Sequence, residues 1–179
     1  ASDLDESAES HAQLLARQLP QIAERLKTTL DKLQRPQIEA TSYISAAEWW
    51  ARLQDRHAGN GIEWRGDLRG ATELPGALFD SVAENLLQNA LAKRQHETGI
   101  EISVNLTVDR DNLDLSVRDT GQAIAPTITD ALFRAPVKSE FGLGIGLYHA
   151  AKQAEEAGHR LSLAENRPGA VVFRLTRRN

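Results

Sequence analysis

Residues 100–121 read IEISVNLTVDRDNLDLSVRDTG, and this stretch carries the clearest structural pattern in the chain. Apolar and polar residues alternate strictly in two runs, over 100–108 and over 113–117. A period of two is typical of strands that bury one face and expose the other. Because four polar residues at 109–112 separate the runs, the stretch predicts an antiparallel β-hairpin.

The segments on either side of this hairpin predict an α/β fold. Apolar periodicity favours a helix over 45–56, a short strand over 62–64 and a helix over 77–95 before the hairpin, and a helix over 146–157 and a second hairpin over 161–175 after it. This order indicates a two-layer α/β sandwich, in which helices cover one face of a mainly antiparallel sheet.

The first part of the chain is predicted to form one long helix, from about Ser7 to Gln34. Five apolar residues occupy the a and d positions of a single heptad frame, namely Leu15, Leu19, Ile22, Leu26 and Leu33. Pro20 should bend this helix, and Pro36 ends the pattern. The helix either packs on its own domain or forms half of a dimerising helical hairpin. We therefore divide the chain into an N-terminal helical segment at 1–40 and a second unit at 41–179.

The composition excludes several classes of protein. The chain has 179 residues, no cysteine and a formal charge of −4, so disulfides and Cys-ligated zinc are excluded and a nucleic-acid partner is not indicated. No apolar run is long enough for a membrane span, and the first residues do not resemble a signal peptide. Because the sequence contains no methionine, even at position 1, we expect a piece of a longer protein.

Two asparagines on the helix over 77–95 form the first candidate site. Asn85 and Asn89 are one helical turn apart and lie next to the apolar positions Val82 and Leu86. Asparagine is a mediocre helix former whose amide is costly to bury without partners. The pair either hydrogen-bonds neighbouring backbone or offers a side-chain oxygen to Mg²⁺, which prefers oxygen ligands and accompanies phosphates.

The second candidate site directly follows the first hairpin, in the run from Asp119 to Ile124. The alternation places Asp119 on the apolar side of its strand, where a carboxylate needs hydrogen-bond donors. An adenine amino group is one suitable donor, and an arginine or a backbone N–H is the structural alternative. Gly121 permits a tight turn and the close approach of a flat ligand.

The third candidate site is the glycine-rich run Gly142-Leu143-Gly144-Ile145-Gly146-Leu147, which precedes a predicted helix. Backbone N–H groups at a helix N-terminus attract anions. The run is not a P-loop, because no Gly-Lys-Ser/Thr follows it, and it does not follow a strand as a dinucleotide-binding fingerprint does.

In this order the three motifs resemble those of the ATP-binding domain shared by DNA gyrase, the heat-shock chaperones, histidine kinases and MutL, which has the Bergerat-type fold. The first motif resembles the N box of that superfamily, the second its G1 box, Phe133 its F box and the glycine run its G2 box. Asparagine rather than glutamate at position 85 is similar to the histidine-kinase branch. Gyrases and chaperones use a glutamate there to activate water.

The resemblance implies that the chain binds ATP and Mg²⁺. It implies that Asn89 ligates the metal, that Asn85 has a catalytic role in supporting the phosphate site, and that Asp119 bonds the adenine amino group. The residues implied to contact the nucleotide are Asn85, Asn89, Lys93, Asp119, Gly121, Ile124, Gly142, Gly144, Gly146 and Leu147. The stretch from about 125 to 141, with Lys138, would be the mobile lid over ATP.

The resemblance also implies the partners of the intact protein. It would be a cytoplasmic or membrane-anchored homodimeric sensor histidine kinase that passes a phosphoryl group to a response-regulator receiver domain, without membrane contact by this part. Of the five histidines, only His11 precedes a long helix, and Ala12 follows it where an acidic residue is usual. The phosphoacceptor histidine is therefore expected outside this chain.

Two other interpretations remain open at this point. A serine kinase of the anti-sigma type shares the domain, although the long N-terminal helix argues against it. A degenerate regulatory or dimerisation module would keep the fold without kinase activity. Three departures from the family pattern bear on that second interpretation: Ala123 replaces a usual glycine, Ala170 replaces a common threonine, and Lys93 stands one position later than the usual basic residue.

Overall fold

The computed structural model describes residues 42–70, 72–110, 112–129, 131–135 and 146–178, which all belong to the unit formed by residues 40–179. The predicted N-terminal helix lies outside the described residues. So do Lys138, Gly142 and Gly144, and the division of the chain at residue 40 stays a prediction.

The described ranges contain seven strands and four helices. The strands are β1 (Tyr43–Ser45), β2 (Ile62–Leu68), β3 (Glu73–Pro75), β4 (Ile102–Val108), β5 (Leu113–Asp119), β6 (His159–Arg167) and β7 (Ala170–Arg177). The helices are α1 (Ala46–Arg56), α2 (Gly76–His96), α3 (Pro126–Thr129) and α4 (Gly146–Glu156).

Five of these strands form one mixed sheet in the order β2-β4-β5-β7-β6. Strand β2 pairs with β4 in parallel, and every other neighbouring pair in this sheet is antiparallel. The prediction of an α/β fold with a mainly antiparallel sheet is confirmed.

The hairpin predicted from residues 100–121 is present as β4 and β5. Its register pairs Val108 with Leu113 at the turn and Ile102 with Asp119 at the far end. The turn is closed by the backbone N–H of Asp109, which donates to the carbonyl of Asn112 at 2.9 Å, and by the Asn112 N–H, which donates to the Asp109 carboxylate at 2.8 Å. An aspartate that accepts such a local bond favours a turn over continued strand.

The core lies between the helices and one face of the sheet. The largest side chains with less than 2% exposure include Trp49 of α1, Phe79 and Leu86 of α2, and Leu115 and Leu175 of the sheet. Burial alternates along β4 residue by residue, as the sequence pattern predicts. This packing fixes α2 across the sheet and so positions every polar residue that α2 carries. No helix among the described residues is long and apolar enough to cross a membrane.

The sequence did not predict strands β1 and β3 or helix α3, and it predicted strand β2 shorter than it is. Strand β2 continues to Leu68 rather than ending at Trp64. It lies at the sheet edge, and the three residues after Trp64 are all exposed, so they lack the alternation that predicts a strand. Strands β1 and β3 form a separate two-stranded ladder before α2. The short helix α3 lies in the stretch assigned to a lid. Ladders of three residues are too short to produce a recognisable period.

His159 is a buried histidine at the start of β6. Its Nδ1 lies 2.7 Å from the carbonyl oxygen of Ala157, while Nε2 is buried without a hydrogen-bond partner among the described residues. Its ring packs edge-on against Phe79, with centroids 5.9 Å apart. Burial lowers the pKa of His159 below its ordinary value of 6.5, the bond to Ala157 opposes this effect, and Arg177 adds to it.

This histidine predicts a loss of stability in mild acid. The unfolded chain binds a proton at His159 more readily than the folded chain, so stability is complete above about pH 6.5 and falls as the pH drops towards the folded pKa. We expect His159→Leu to flatten this part of the profile, measured by urea unfolding between pH 7.5 and 5. The matched control is His149→Leu, whose position is exposed and which should keep the wild-type profile. An identical slope for the parent and His159→Leu would contradict the assignment.

Candidate functional site

Three polar residues follow one another on successive turns of α2. Asn85, Asn89 and Lys93 are each four residues apart, so they lie along one side of the helix. With a rise of 1.5 Å per residue, Asn85 and Lys93 are about 12 Å apart along the axis. This row joins two ends of the candidate site, one at Gly146 and one at Asp119.

Asn85 lies at the Gly146 end and is half-buried. Its Nδ2 donates to the carbonyl of Ser81 at 2.7 Å, which leaves Oδ1 facing the first residue of α4. A Cβ at Gly146 would collide with this amide oxygen, so glycine is needed for the close approach of α4 to α2. The Asn85 amide thus lies against the N-terminus of a helix.

Asn89 lies one turn further along α2. The sequence predicted that both amides lie beside the core, but the Asn89 amide does not. Its side chain is exposed, so it carries no desolvation cost and needs no protein partner. Among the described residues, no group of three or more His, Asp or Glu side chains is placed to hold a metal ion. A metal at this end would use the Asn89 amide oxygen together with ligands from outside the protein.

Asp119 forms the other end of the site. It is the last residue of β5, faces the helices as predicted, and is only 6% exposed. Its Oδ1 accepts hydrogen bonds from Lys93 Nζ at 2.8 Å and from the backbone N–H of Gly121 at 2.9 Å. A buried carboxylate with donors converging on it can recognise an N–H group of a ligand.

Lys93 and Glu97 cover the turn after Asp119. The Lys93 ammonium also donates to the Gln122 carbonyl at 2.6 Å, and the Gln122 N–H donates to Glu97 Oε2 at 2.9 Å. A Cβ on Gly121 would lie 2.5 Å from Lys93 Cε and 2.9 Å from Glu97 Oε2. Gly121 has no left-handed φ, so this close packing explains why glycine is needed there.

The turn is also anchored by the second hairpin. The Asn166 side chain accepts from the Ile124 N–H at 2.8 Å and donates to the Ile124 carbonyl at 2.9 Å. The Gly169 N–H donates to the Gly121 carbonyl at 3.0 Å. No sequence pattern points to Asn166, whereas Glu97 could have been found because it continues the four-residue spacing of Asn85, Asn89 and Lys93.

The remaining predicted residues lie near the start of α4 and in the preceding stretch. Leu147 follows Gly146 in the first turn of α4 and is partly buried. Phe133, assigned to the F box, packs edge-on against Phe173 of β7 with centroids 6.3 Å apart. The structure thus brings together Asn85 with Gly146 and Lys93 with Asp119 and Gly121. Gly142 and Gly144 lie outside the described residues.

The comparison with known families agrees with this architecture. The family model of the histidine kinase-, DNA gyrase B- and HSP90-like ATPases matches residues 77–178, which include α2, both hairpins and α4. The chain belongs to this family. The histidine protein kinase SaeS of Staphylococcus aureus is 27% identical over 95 residues, which are 49% of this chain and 27% of SaeS. The chain therefore spans about a quarter of the length of the curated relatives that it matches.

Solved structures of histidine kinases share the fold. The catalytic domain of histidine kinase ThkA superimposes with a TM-score of 0.61 at 19% identity, covering 76% of this chain and 94% of that domain. The mycobacterial sensor histidine kinase MprB gives 0.56 at 19% identity, covering 75% of this chain and 95% of that chain. The family and fold predicted from the sequence are confirmed, and the described unit contains a histidine-kinase-type ATPase domain.

Proposed function

We propose that this domain binds ATP with Mg²⁺ and transfers the γ-phosphoryl group to a histidine outside this chain, as the catalytic part of a two-component sensor histidine kinase. The observation that carries the proposal is the buried carboxylate of Asp119 at one end of the row formed by Asn85, Asn89 and Lys93. Membership of the ATPase family and the match to SaeS support it.

Asp119 is the proposed contact to adenine. Its buried carboxylate already accepts an N–H from Gly121 and another from an ammonium group, so it can accept one from an exocyclic amino group. A charged acceptor in a dry site discriminates strongly against ligands that lack a donor. Gly121 and Ile124 would line the base, because Asn166 and Gly169 hold their backbone in place.

The Gly146 end is the proposed phosphate site. Backbone N–H groups at Gly146 and Leu147 begin an 11-residue helix, whose positive dipole end favours an anion. Asn85 is held beside this terminus by its bond to Ser81, so its position is fixed before a ligand binds. The spacing of about 12 Å along α2 between the two ends suits an extended nucleoside triphosphate.

Asn89 is the proposed protein ligand of Mg²⁺. Its exposed amide lies between the two ends of the row, and Mg²⁺ commonly keeps water and phosphate oxygens as its other ligands. When bound, the metal would neutralise charge on the triphosphate. The other residues position the nucleotide and exclude water from the base.

In the proposed transfer, an unprotonated imidazole nitrogen forms a bond to the γ-phosphorus. The bond from that phosphorus to the β–γ bridging oxygen breaks, and ADP leaves with its electron pair. Because the nucleophile is already an imidazole, the site does not need a carboxylate to activate water, which agrees with asparagine at position 85. Positioning and charge neutralisation would supply most of the rate.

The partners follow from the same proposal. ThkA has been crystallised in complex with the response regulator protein TrrA, and ShkA in complex with AMPPNP. We propose that this part of the intact protein is cytoplasmic, that the protein acts as a homodimer through the segment at 1–40, and that it passes its phosphoryl group to a receiver domain. Incubation with a separate dimerisation hairpin that carries its histidine should give phosphohistidine, whereas a serine kinase would leave that hairpin unmodified.

Removal of the proposed metal ligand provides the first test. Calorimetry with AMPPNP should show that Mg²⁺ strengthens binding to the unmodified chain by about tenfold, and that Asn89→Ala reduces this gain to less than about twofold. Gln95→Ala, an amide removal at another exposed position of α2, is the matched control and should keep the full gain. If the unmodified chain binds no nucleotide, the kinase proposal fails and the regulatory-module interpretation becomes the better one.

A further inference from the structure

The position of Lys93 conflicts with direct entry of a nucleobase. Its side chain is 17% exposed, and its ammonium is bonded to Asp119 and to the Gln122 carbonyl. Its Cε lies directly over Gly121, where the sequence predicts the close approach of a flat ligand. The place beside Asp119 that suits an adenine amino group is therefore taken by a side chain of the protein itself.

We propose that Lys93 is an internal competitor of the nucleobase: it occupies the Asp119 carboxylate when no nucleotide is bound and must leave when ATP binds. This inference rests on the proposed function and deepens it. Lys93 donates an N–H to the Asp119 carboxylate, as the exocyclic amino group of a base would. Its aliphatic stem covers the backbone of Gly121.

The structure makes this displacement feasible. Lys93 is attached to α2 by a flexible four-carbon stem, so the ammonium can move into solvent or towards the row of asparagines without any change in the backbone. Loss of the pair leaves Asp119 bonded to the Gly121 N–H and free to accept from the base. Glu97, which bonds the Gln122 N–H, keeps the turn in place after Lys93 has left.

The strength of the pair sets the size of the effect. Exposed ion pairs contribute little to stability, but this pair is largely buried, with side-chain exposures of 17% for Lys93 and 8% for Asp119. We expect that removal of the ammonium strengthens nucleobase binding by about three- to tenfold. Because Lys93 competes with the base and not with the phosphates, the gain in affinity should be present for adenosine as well as for ATP.

Adenosine is the decisive ligand because it carries no phosphate and no charge. Salt screens a largely buried ion pair only weakly, so the affinity of the wild-type chain for adenosine should change little between 0.05 and 0.5 M NaCl. Lys93→Met keeps the stem and removes the charge. It should bind adenosine more tightly than the wild-type chain at both salt concentrations. Lys152→Met makes the same change at the other lysine of the described chain and should behave like wild type.

A second measurement follows Lys93 directly. In the free protein, an ammonium held by two hydrogen bonds should give a Nζ signal in ¹H–¹⁵N NMR that exchanges slowly with water and is absent from Lys93→Met. Saturating adenosine should remove or strongly shift this signal. A Nζ signal that is unchanged in the adenosine complex would show that Lys93 stays in place and would overturn the inference.

The outcomes separate this inference from the proposed function. Tighter binding by Lys93→Met, or binding by Lys93→Met alone, supports internal competition. If the wild-type chain binds adenosine and AMPPNP but Lys93→Met binds equally well or more weakly, Lys93 is a bystander or a ligand contact; the inference fails and the proposed function stands. If neither chain binds either ligand at any salt concentration, the proposed function itself fails.

Discussion

Asp119→Asn is expected to weaken AMPPNP binding by about 100-fold or more, while the domain remains folded. The substitution replaces a charged acceptor, only 6% exposed, by an amide of nearly the same shape. A hydrogen bond to a charged group contributes about 1.5–3 kcal/mol, and an amide that presents its NH₂ group to the base adds a repulsive contact between donors. Calorimetry on the unmodified chain and the variant measures the difference.

Strand β5 offers a matched control for this substitution. Asp114 is also buried, at 8% exposure, but it lies on the opposite face of the sheet, where its carboxylate is paired with Arg174 of β7. Asp114→Asn should therefore affect stability without changing nucleotide affinity. If Asp119→Asn binds AMPPNP as well as the parent, the base site lies elsewhere. If both variants lose binding together, general destabilisation explains the loss.

The position of Asp119 illustrates what local sequence patterns are sufficient to predict. Alternation along 113–119 is sufficient to place this carboxylate on the helix side, because a strand's side chains change face at every residue. Helical spacing is likewise sufficient to place Asn85 and Asn89 along one side of α2. Both inferences need only the period of a single element, and the structure agrees with both placements.

Contacts between distant elements could not be obtained in this way. The hydrogen bond from Lys93 to Asp119 joins positions 26 residues apart, and the hydrogen bond between Asn166 and the backbone of Ile124 joins positions 42 residues apart. The first depends on how α2 packs across the sheet, and the second depends on the order of strands, in which β7 lies between β5 and β6. No period or turn signal in the sequence encodes that order, since it is determined by the packing of the entire domain.

This dependence on packing changes the interpretation of Lys93. In the sequence it stands one position later than the family's usual basic residue, which suggested only a displaced phosphate contact. The structure places it beside Asp119, about 12 Å along α2 from Asn85. One step along a helix rotates a side chain by about 100°, so a shift of a single position exchanges one neighbour for another. Lys93 consequently contacts Asp119 and Gly121, and its proposed nucleotide contact at the phosphates stays a prediction.

Phe79→Ala is expected to destabilise the domain by about 3–5 kcal/mol, the range for truncating a buried phenylalanine. Phe79 has 0% exposure and joins three elements, since its ring packs edge-on against Trp49 of α1 at 5.4 Å and His159 of β6 at 5.9 Å. For a domain of this size the melting temperature should fall by roughly 10–20 °C, measured by calorimetry or circular dichroism. Tyr43→Ala removes an aromatic ring that is 54% exposed and should change stability by less than about 0.5 kcal/mol.

Phe79→Ala also tests whether packing in the core affects the affinity of the proposed nucleotide site. Phe79 lies near the start of the helix that carries Asn85, Asn89 and Lys93, and its ring packs against Trp49 and His159, which are not among the proposed ligand groups. At low temperature, where a domain with about 5–15 kcal/mol of stability remains mostly folded, AMPPNP affinity should stay close to that of the parent. A large loss of affinity in a fully folded Phe79→Ala protein would mean that the cavity shifts α2 against β5. The distance between Lys93 and Asp119 would then be set by this aromatic contact rather than by the sheet.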